Sequence, residues 1–122
     1  MNAVLLSGWL GANPQDFPVD PEDGKSKRFC TFRLAVKRKD GSANWLPIIA
    51  FGSQADWVMD HLFLEKGDHV SVEGFLSSHY SETEGGKRRR YVQVVASSTY
   101  LTAPSRRRWK RPWLGEGPAP PF

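Results

Sequence analysis

The chain has 122 residues, enough for one domain with a real core and too few for two. Hydrophobic residues make up 39% and charged residues 25%, a globular balance with no apolar run of the roughly 18 residues that would span a membrane. The net charge of +4 belongs to residues 103–122. Residues 1–102 hold 12 Lys/Arg and 12 Asp/Glu, whereas Arg106, Arg107, Arg108, Lys110 and Arg111 stand against Glu116 alone.

The start, Met1-Asn2-Ala3-Val4, has no basic stretch ahead of an apolar one, so no secretory signal is expected and the cytoplasm is the expected compartment. Residues 2–10 are apolar and end at Gly11, Asn13 and Pro14, a strand followed by a turn. Residues 12–27 carry three prolines and many acids and are expected to form an irregular loop. Residues 28–37 alternate: Cys30, Phe32, Leu34 and Val36 face one way, Thr31 and Arg33 the other, as in a half-buried strand. Cys30 on that apolar face is expected to be buried filler, and a lone cysteine has no internal disulfide partner. Asp40-Gly41 closes a hairpin to a strand from Asn44 to Phe51.

The period then changes. Ala55, Val58, Met59, Leu62 and Phe63 fall on one face of a helix, with Ser53 as its cap, Asp56 in capping-box position and Gly67 as its stop. Residues 68–80 form a strand with Val70, Val72, Gly74 and Leu76 on one face, residues 84–87 a loop tip, and residues 88–102 a last strand. The expectation is all-β: an OB-fold, a five-stranded Greek-key barrel with one helix between strands 3 and 4 that plugs its end. Residues 1–102 are the expected domain. Residues 103–122, with five of the nine prolines and no periodicity, are the expected flexible basic tail.

An OB-fold that holds single strands needs flat aromatic faces and a positive rim. Trp45, Pro47, Ile49 and Phe51 share one face of the third strand, with the small aliphatics Leu46, Ile48 and Ala50 on the other. The pattern leaves Trp45 and Phe51 open between a stacking platform and core or subunit-interface residues. Tyr80, before the long hairpin tip, and Trp9, between Gly8 and Gly11, are further stacking candidates. Phosphate contacts are expected from Arg33, from Lys37, Arg38 and Lys39, and from Lys87, Arg88, Arg89 and Arg90. Another basic cluster is Lys25, Lys27 and Arg28; solvated loop tips are the alternative for all the clusters. In the tail, Trp109 and Trp113 interleave with five cations, which suits stacking and phosphate contact, or an acidic protein or membrane surface. His61, His69 and His79 lack zinc spacing, and no P-loop, Rossmann glycine string or serine elbow occurs. No enzyme, metal or cofactor is therefore expected. The first strand is apolar on both faces at Val4, Leu5 and Leu6, so its edge is expected to pair with a second subunit.

From Asn2 to about Leu101 the chain resembles the bacterial single-stranded DNA-binding protein family. The resemblance lies in residues 2–11 with Asn13-Pro14, in Phe32-Arg-Leu34-Ala35-Val36, in Trp45-Leu-Pro-Ile-Ile-Ala-Phe51-Gly52 with Ala55, in residues 64–76, and in Gly86-Lys-Arg with Tyr91-Val-Gln-Val-Val95. It implies a homo-oligomer, a tetramer or else a dimer, that coats and protects single-stranded DNA in replication, recombination and repair with little sequence specificity, associated with the nucleoid. It also implies base stacking at Trp45, Phe51 and Tyr80. A primosome-accessory OB interaction module and an RNA-binding OB protein are the alternatives. Departures are Lys37-Arg38-Lys39-Asp40 where the family often has a further tryptophan, Ser53 after the Phe-Gly pair, and Ser77, Ser78 and His79 where basic residues are common. The family tail is long and acidic and docks partners through a terminal Pro-Phe. This one is short and basic though it ends Pro121-Phe122, which argues against docking and suits a phage, plasmid or mobile-element specialist.

Overall fold

A computed structural model describes residues 1–18, 27–82 and 84–106. Six strands form the framework: β1 (Val4–Leu10), β2 (Gln15–Phe17), β3 (Phe29–Lys37), β4 (Ala43–Phe51), β5 (His69–Glu82) and β6 (Arg88–Ala103). Between β4 and β5 lies a helical turn, α1 (Ser53–Asp56), which widens into a π-helical segment, Trp57–His61. The sheet order is β1-β5-β6-β4-β3-β2, and a β1–β3 pairing closes the barrel. β4 and β6 run parallel, at Ile48↔Val94 and Ile49↔Val95. That is the contact a helix between β4 and β5 leaves room for, since parallel neighbours need a long crossover. This is the OB barrel expected from the sequence.

One strand was not foreseen. Gln15–Phe17, in the segment expected to be an irregular loop, pairs with the start of β3 at Gln15↔Thr31, Asp16↔Cys30 and Phe17↔Phe29. Three residues among prolines and acids give no detectable period, yet they cover the edge that β3 would otherwise expose.

Alternation builds the core. Cys30, Phe32, Leu34, Ile48, Ala50, Val70, Val72, Val94 and Ala96 point inward, and Ala55, Val58 and Leu64 of the helical connection plug one end. Each large aliphatic buried there contributes roughly 1.5–3 kcal/mol. Burial pushes the Cys30 thiol up to about 11, with smaller Coulombic effects from Asp16 and Arg28. On β3 and β5 the inward sets are as the sequence implied, except that Leu76 is half-exposed. A bulge between Glu73 and Gly74 shifts the β5–β6 register, and from there the two strands run out past the barrel. A side chain at Gly74 would stand 2.0 Å from the Val95 carbonyl oxygen, so only glycine admits this approach. The Asn2 carboxamide binds Leu76 like another peptide unit: Nδ2 donates to the Leu76 carbonyl at 2.8 Å, and Oδ1 accepts from its N–H at 2.9 Å.

The helix ends differ from expectation. The cap is Gly52, at φ 56°, with no side-chain cap bond; β4 leaves through a left-handed residue, so the boundary falls before Ser53. Asp56 does not close a capping box, because Arg28 takes its carboxylate. The stop is not Gly67, which sits in the turn closed by Asp68 N–H to the Glu65 carbonyl. It is Phe63, at φ 49°. That turn leaves Phe63 exposed rather than on the core face, while Met59 and Leu62 pack against the core.

Candidate nucleic-acid interface

Directly opposed residues of neighbouring strands point to the same face of a sheet. The register therefore lays four rows across the outer face of the barrel. One row is Phe17, Phe29 and Phe51; the next Gln15, Thr31 and Ile49; then Arg33 and Pro47; then Trp9, Ala35 and Trp45. Lys37, opposite Ala43, extends the same face by one more step. Trp45 and Phe51 are 53% and 43% exposed, which excludes a core role within the monomer. They lie six residues apart on one strand, about 20 Å. A groove of about 570 Å³ opens beside Trp45, with Gln15, Thr31, Arg33, Pro47 and Gln93 among its lining residues; Phe51 stands on the same face outside that lining.

Each end of this outer face is aromatic. At one end, Phe17 and Phe29 stack at 4.5 Å with their planes 10° apart, and Phe51 leans on Phe29 at 6.1 Å. Phe17 and Phe29 were not singled out from the sequence. Phe29 had a usable signal, since it shares its strand parity with Arg33; Phe17, inside an apparent loop, had none. At the other end the Trp45 ring lies over Gly11: a side chain there would come within 2.3 Å of Cζ3. Trp9, half-exposed, meets His69 edge-on at 4.7 Å. Thr102 Oγ1 uses its single proton on the His69 carbonyl, so the His69 Nδ1–H donates to that hydroxyl.

The cations divide. Arg33 and Lys37 flank the Trp45 row on the platform face. In the β3–β4 turn, Arg38 Nε donates to Asn44 Oδ1 at 2.5 Å, and Lys39 is exposed. Asp40 accepts from the Ser42 hydroxyl and N–H, which holds its carboxyl below the usual range. Arg88, Arg89 and Arg90 are exposed on the β5–β6 hairpin beside the Lys87 turn. Tyr80 lies opposite Arg90, with the Arg88 guanidinium 5.6 Å from its ring centroid. The register puts Tyr80 on the hairpin face that continues inward-pointing Val94 and Ala96. The face that continues Gln93 and Val95 carries His79 and Tyr91 instead, stacked at 5.7 Å. Tyr80 therefore does not share the Trp45–Phe51 face, and Tyr91 is an aromatic the sequence reading passed over.

Arg28 is not part of any basic rim. Its guanidinium grips Asp16 through Nε and Nη2 at 3.0 and 2.8 Å, and reaches Asp56 at 2.8 Å and Asp60 at 2.5 Å. Hydrogen bonds from Arg28 hold the Asp16 and Asp60 carboxyls below the usual range, and the three acids raise the arginine in turn. This clasp ties β2 to the helical connection. Among the described residues no group of three His, Cys, Asp or Glu is placed to hold a metal ion, and no helix is long and apolar enough to cross a membrane. Trp109 and Trp113, with Arg107, Arg108, Lys110, Arg111, Pro121 and Phe122, lie outside the described residues, as does Lys25.

The molecule is thus an OB barrel with an aromatic, cation-flanked outer face. Its residues 1–102 match the model of the Single-strand binding protein family, and the chain belongs to that family. It is 30% identical over 100 residues to a "Single-stranded DNA-binding protein" of Clostridium perfringens, covering 80% of this chain and 63% of that one. It is 32% identical over 110 residues to "Single-stranded DNA-binding protein 1" of Staphylococcus aureus, covering 85% and 62%. The chain thus spans under two thirds of the length of these relatives. A crystal structure of mitochondrial single-stranded DNA binding proteins from S. cerevisiae superposes with a TM-score of 0.66 at 18% identity, over 84% of this chain and 96% of that one, which supports the fold.

Proposed function

We propose that this chain binds single-stranded DNA with little sequence specificity along the outer face of β3 and β4, and that it coats and protects such strands in replication, recombination and repair without catalysing a reaction. The observation that carries this reading is the groove beside Trp45, lined by Arg33, on the face that also carries Phe51 and Lys37. Bases stack on exposed rings whatever their identity, and the cations follow the phosphates. The relatives' names point to the same ligand. Action on nucleoid DNA in the cytoplasm goes with this reading.

Assembly with further copies is part of the proposal, as a tetramer or else a dimer. β1 pairs with β5 from Val4 to Trp9 but with β3 only at Trp9 and Leu10. One edge of residues 4–7 thus has no strand paired to it among the described residues, and Leu5 is 77% exposed. A second β1 suits such an edge.

The test is a titration of oligo-dT, oligo-U and duplex DNA at two salt concentrations, with Trp45→Ala and Phe51→Ala beside the parent. Oligo-dT should bind, and each variant should lose about 1–3 kcal/mol, the worth of one stacked base. Equal affinity for duplex, or normal binding by both folded variants, refutes the platform. Preference for oligo-U moves the reading to RNA.

A further inference from the structure

The short strand β2 brings a ring to the edge of the outer face. Phe17 stands opposite Phe29, and Phe29 opposite Phe51, so one row of rings crosses three strands. Phe17 and Phe29 lie nearly parallel at 4.5 Å, and Phe51 follows at 6.1 Å. The row is two strand spacings wide, about 10 Å. Phe51 and Phe17, at its two ends, are 43% and 40% exposed, and Phe29 between them is half-buried. One exposed ring on a surface is ordinary, whereas a contiguous row rimmed by polar side chains marks a place where something binds. Gln15 and Thr31 in the next row supply that rim.

The ring of Phe17 is also held in place. Three residues at a sheet edge fray unless something ties them. Arg28 ties these: it grips Asp16, next to Phe17, and also Asp56 and Asp60 of the helical connection. Neighbouring side chains of a strand point to opposite faces, so Asp16 lies away from the face of Gln15 and Phe17, with its carboxylate bonded to Arg28. Lys27 supplies a positive charge at this end. It is exposed and stands two residues ahead of Phe29, about 7 Å along an extended chain. The Gly52 N–H donates to the Arg28 carbonyl at 2.7 Å, which keeps residue 28 beside the end of β4. Lys37 stands beyond the Trp45 row, so the outer face carries a cation at both ends.

We propose that Phe17 and Phe29 hold a further base of the bound single strand, so that the strand crosses from Phe51 onto β2, with Lys27 on its phosphate. This extension rests on the outer face being a single-strand site. Phe51 belongs both to that face and to the row of rings, so a strand stacked on it meets Phe29 and Phe17 next. An aromatic ring takes any base by its π-face, and a cation beside it takes the phosphate, which leaves the extension as tolerant of sequence as the rest of the track.

The test uses the full chain and labelled oligo-dT of increasing length. The variants are Phe17→Leu, which keeps apolar bulk without a flat face, Phe17→Tyr, which keeps the ring, Lys27→Gln and Trp45→Ala. On long oligomers Phe17→Leu should bind roughly 5- to 150-fold more weakly than the parent, the worth of one lost stack, and Phe17→Tyr should bind like the parent. Lys27→Gln should flatten the log–log salt dependence by about 0.7, the share of one phosphate contact. Oligomers too short to leave the groove beside Trp45 should not distinguish Phe17→Leu from the parent. Phe17→Leu should also melt near the parent, because β2 is the last strand of the sheet. Parent-like binding of long oligo-dT by Phe17→Leu overturns the extension. So does equal weakness of Phe17→Tyr and Phe17→Leu, which would leave the ring with a packing role only. A loss of the same size on the shortest oligomers overturns it too, because the change would then act through the groove. Each of these results, with Trp45→Ala weakened, leaves the outer-face reading standing. Failure of the parent to bind any oligo-dT, or parent-like binding by Trp45→Ala, overturns that reading and the extension with it.

Discussion

Gly11→Ala separates the platform from the barrel. A methyl group at this position would stand 2.3 Å from Trp45 Cζ3 and 2.6 Å from Cη2, well inside contact distance, so the ring must move. It can, because Trp45 is 53% exposed and those atoms are the far edge of its side chain. No positive φ is demanded of Gly11, so alanine adds no backbone strain. The cost to folding should be that of a surface change, about 0.5 kcal/mol, or roughly 2–4 °C in melting temperature for a domain of this size. The cost to binding should approach removal of one stacked base, about 1–3 kcal/mol. Anisotropy of a labelled oligo-dT measures the second quantity and thermal circular dichroism the first. Parent-like affinity in Gly11→Ala would show that the pose of the Trp45 ring plays no part in binding. A large fall in melting temperature would show that the ring cannot swing aside, and the argument from its exposure would fail.

Three further outcomes follow from other parts of the molecule. Asp16 and Asp60 have carboxyls held below 3.8 by hydrogen bonds from Arg28; such a group adds stability above its unfolded-state value, lost as pH falls through the lower folded value. Melting temperatures from pH 6 to pH 2.5 should therefore fall less steeply at the acid end in Arg28→Ala than in the parent, and parallel curves would refute the clasp. Cys30, buried and with its thiol pushed up to about 11, should resist a thiol reagent at pH 8 in the native protein and react once unfolded; prompt native labelling would contradict its burial. Leu5→Arg should lower the mass by light scattering while leaving the melting of the barrel near that of the parent, whereas a parent already monomeric at micromolar concentration would remove the β1 edge as a contact.

Much of this molecule is legible in its sequence where burial is one-sided. The alternation from Cys30 to Leu34 and the opposed faces of Trp45–Phe51 and Leu46–Ala50 gave the barrel wall and its outer face, because a period of two survives wherever one side is core. The misreadings share a physical origin in contacts that no local pattern encodes. Gln15–Phe17 is a strand because β3 offers an edge. Asp56 abandons its capping role because Arg28, distant in sequence, competes for it. Leu76 keeps the parity of Val72, opposite inward-pointing Val94, yet is exposed because β5 and β6 run out past the barrel there. Phe63 continues a helical stripe, yet the chain turns left-handed there and carries the ring outside. Strand pairing also places Tyr80, which resemblance matches to a stacking position, on the hairpin face opposite that of Gln93.

Past the barrel, the hairpin stands on its own ladder. β1 last meets β5 at Val4↔Gly74 and β4 last meets β6 around Ile48↔Val94, whereas residues 77–82 and 88–93 pair only with one another. A two-stranded ribbon without a third strand is marginal by itself, and its backbone amides should exchange with solvent long before those of the core. Substitutions in this arm therefore bypass the cooperative unit that keeps the barrel folded. Exchanging Arg88, Arg89 and Arg90 should therefore change the charge of the arm while leaving the melting of the barrel near that of the parent.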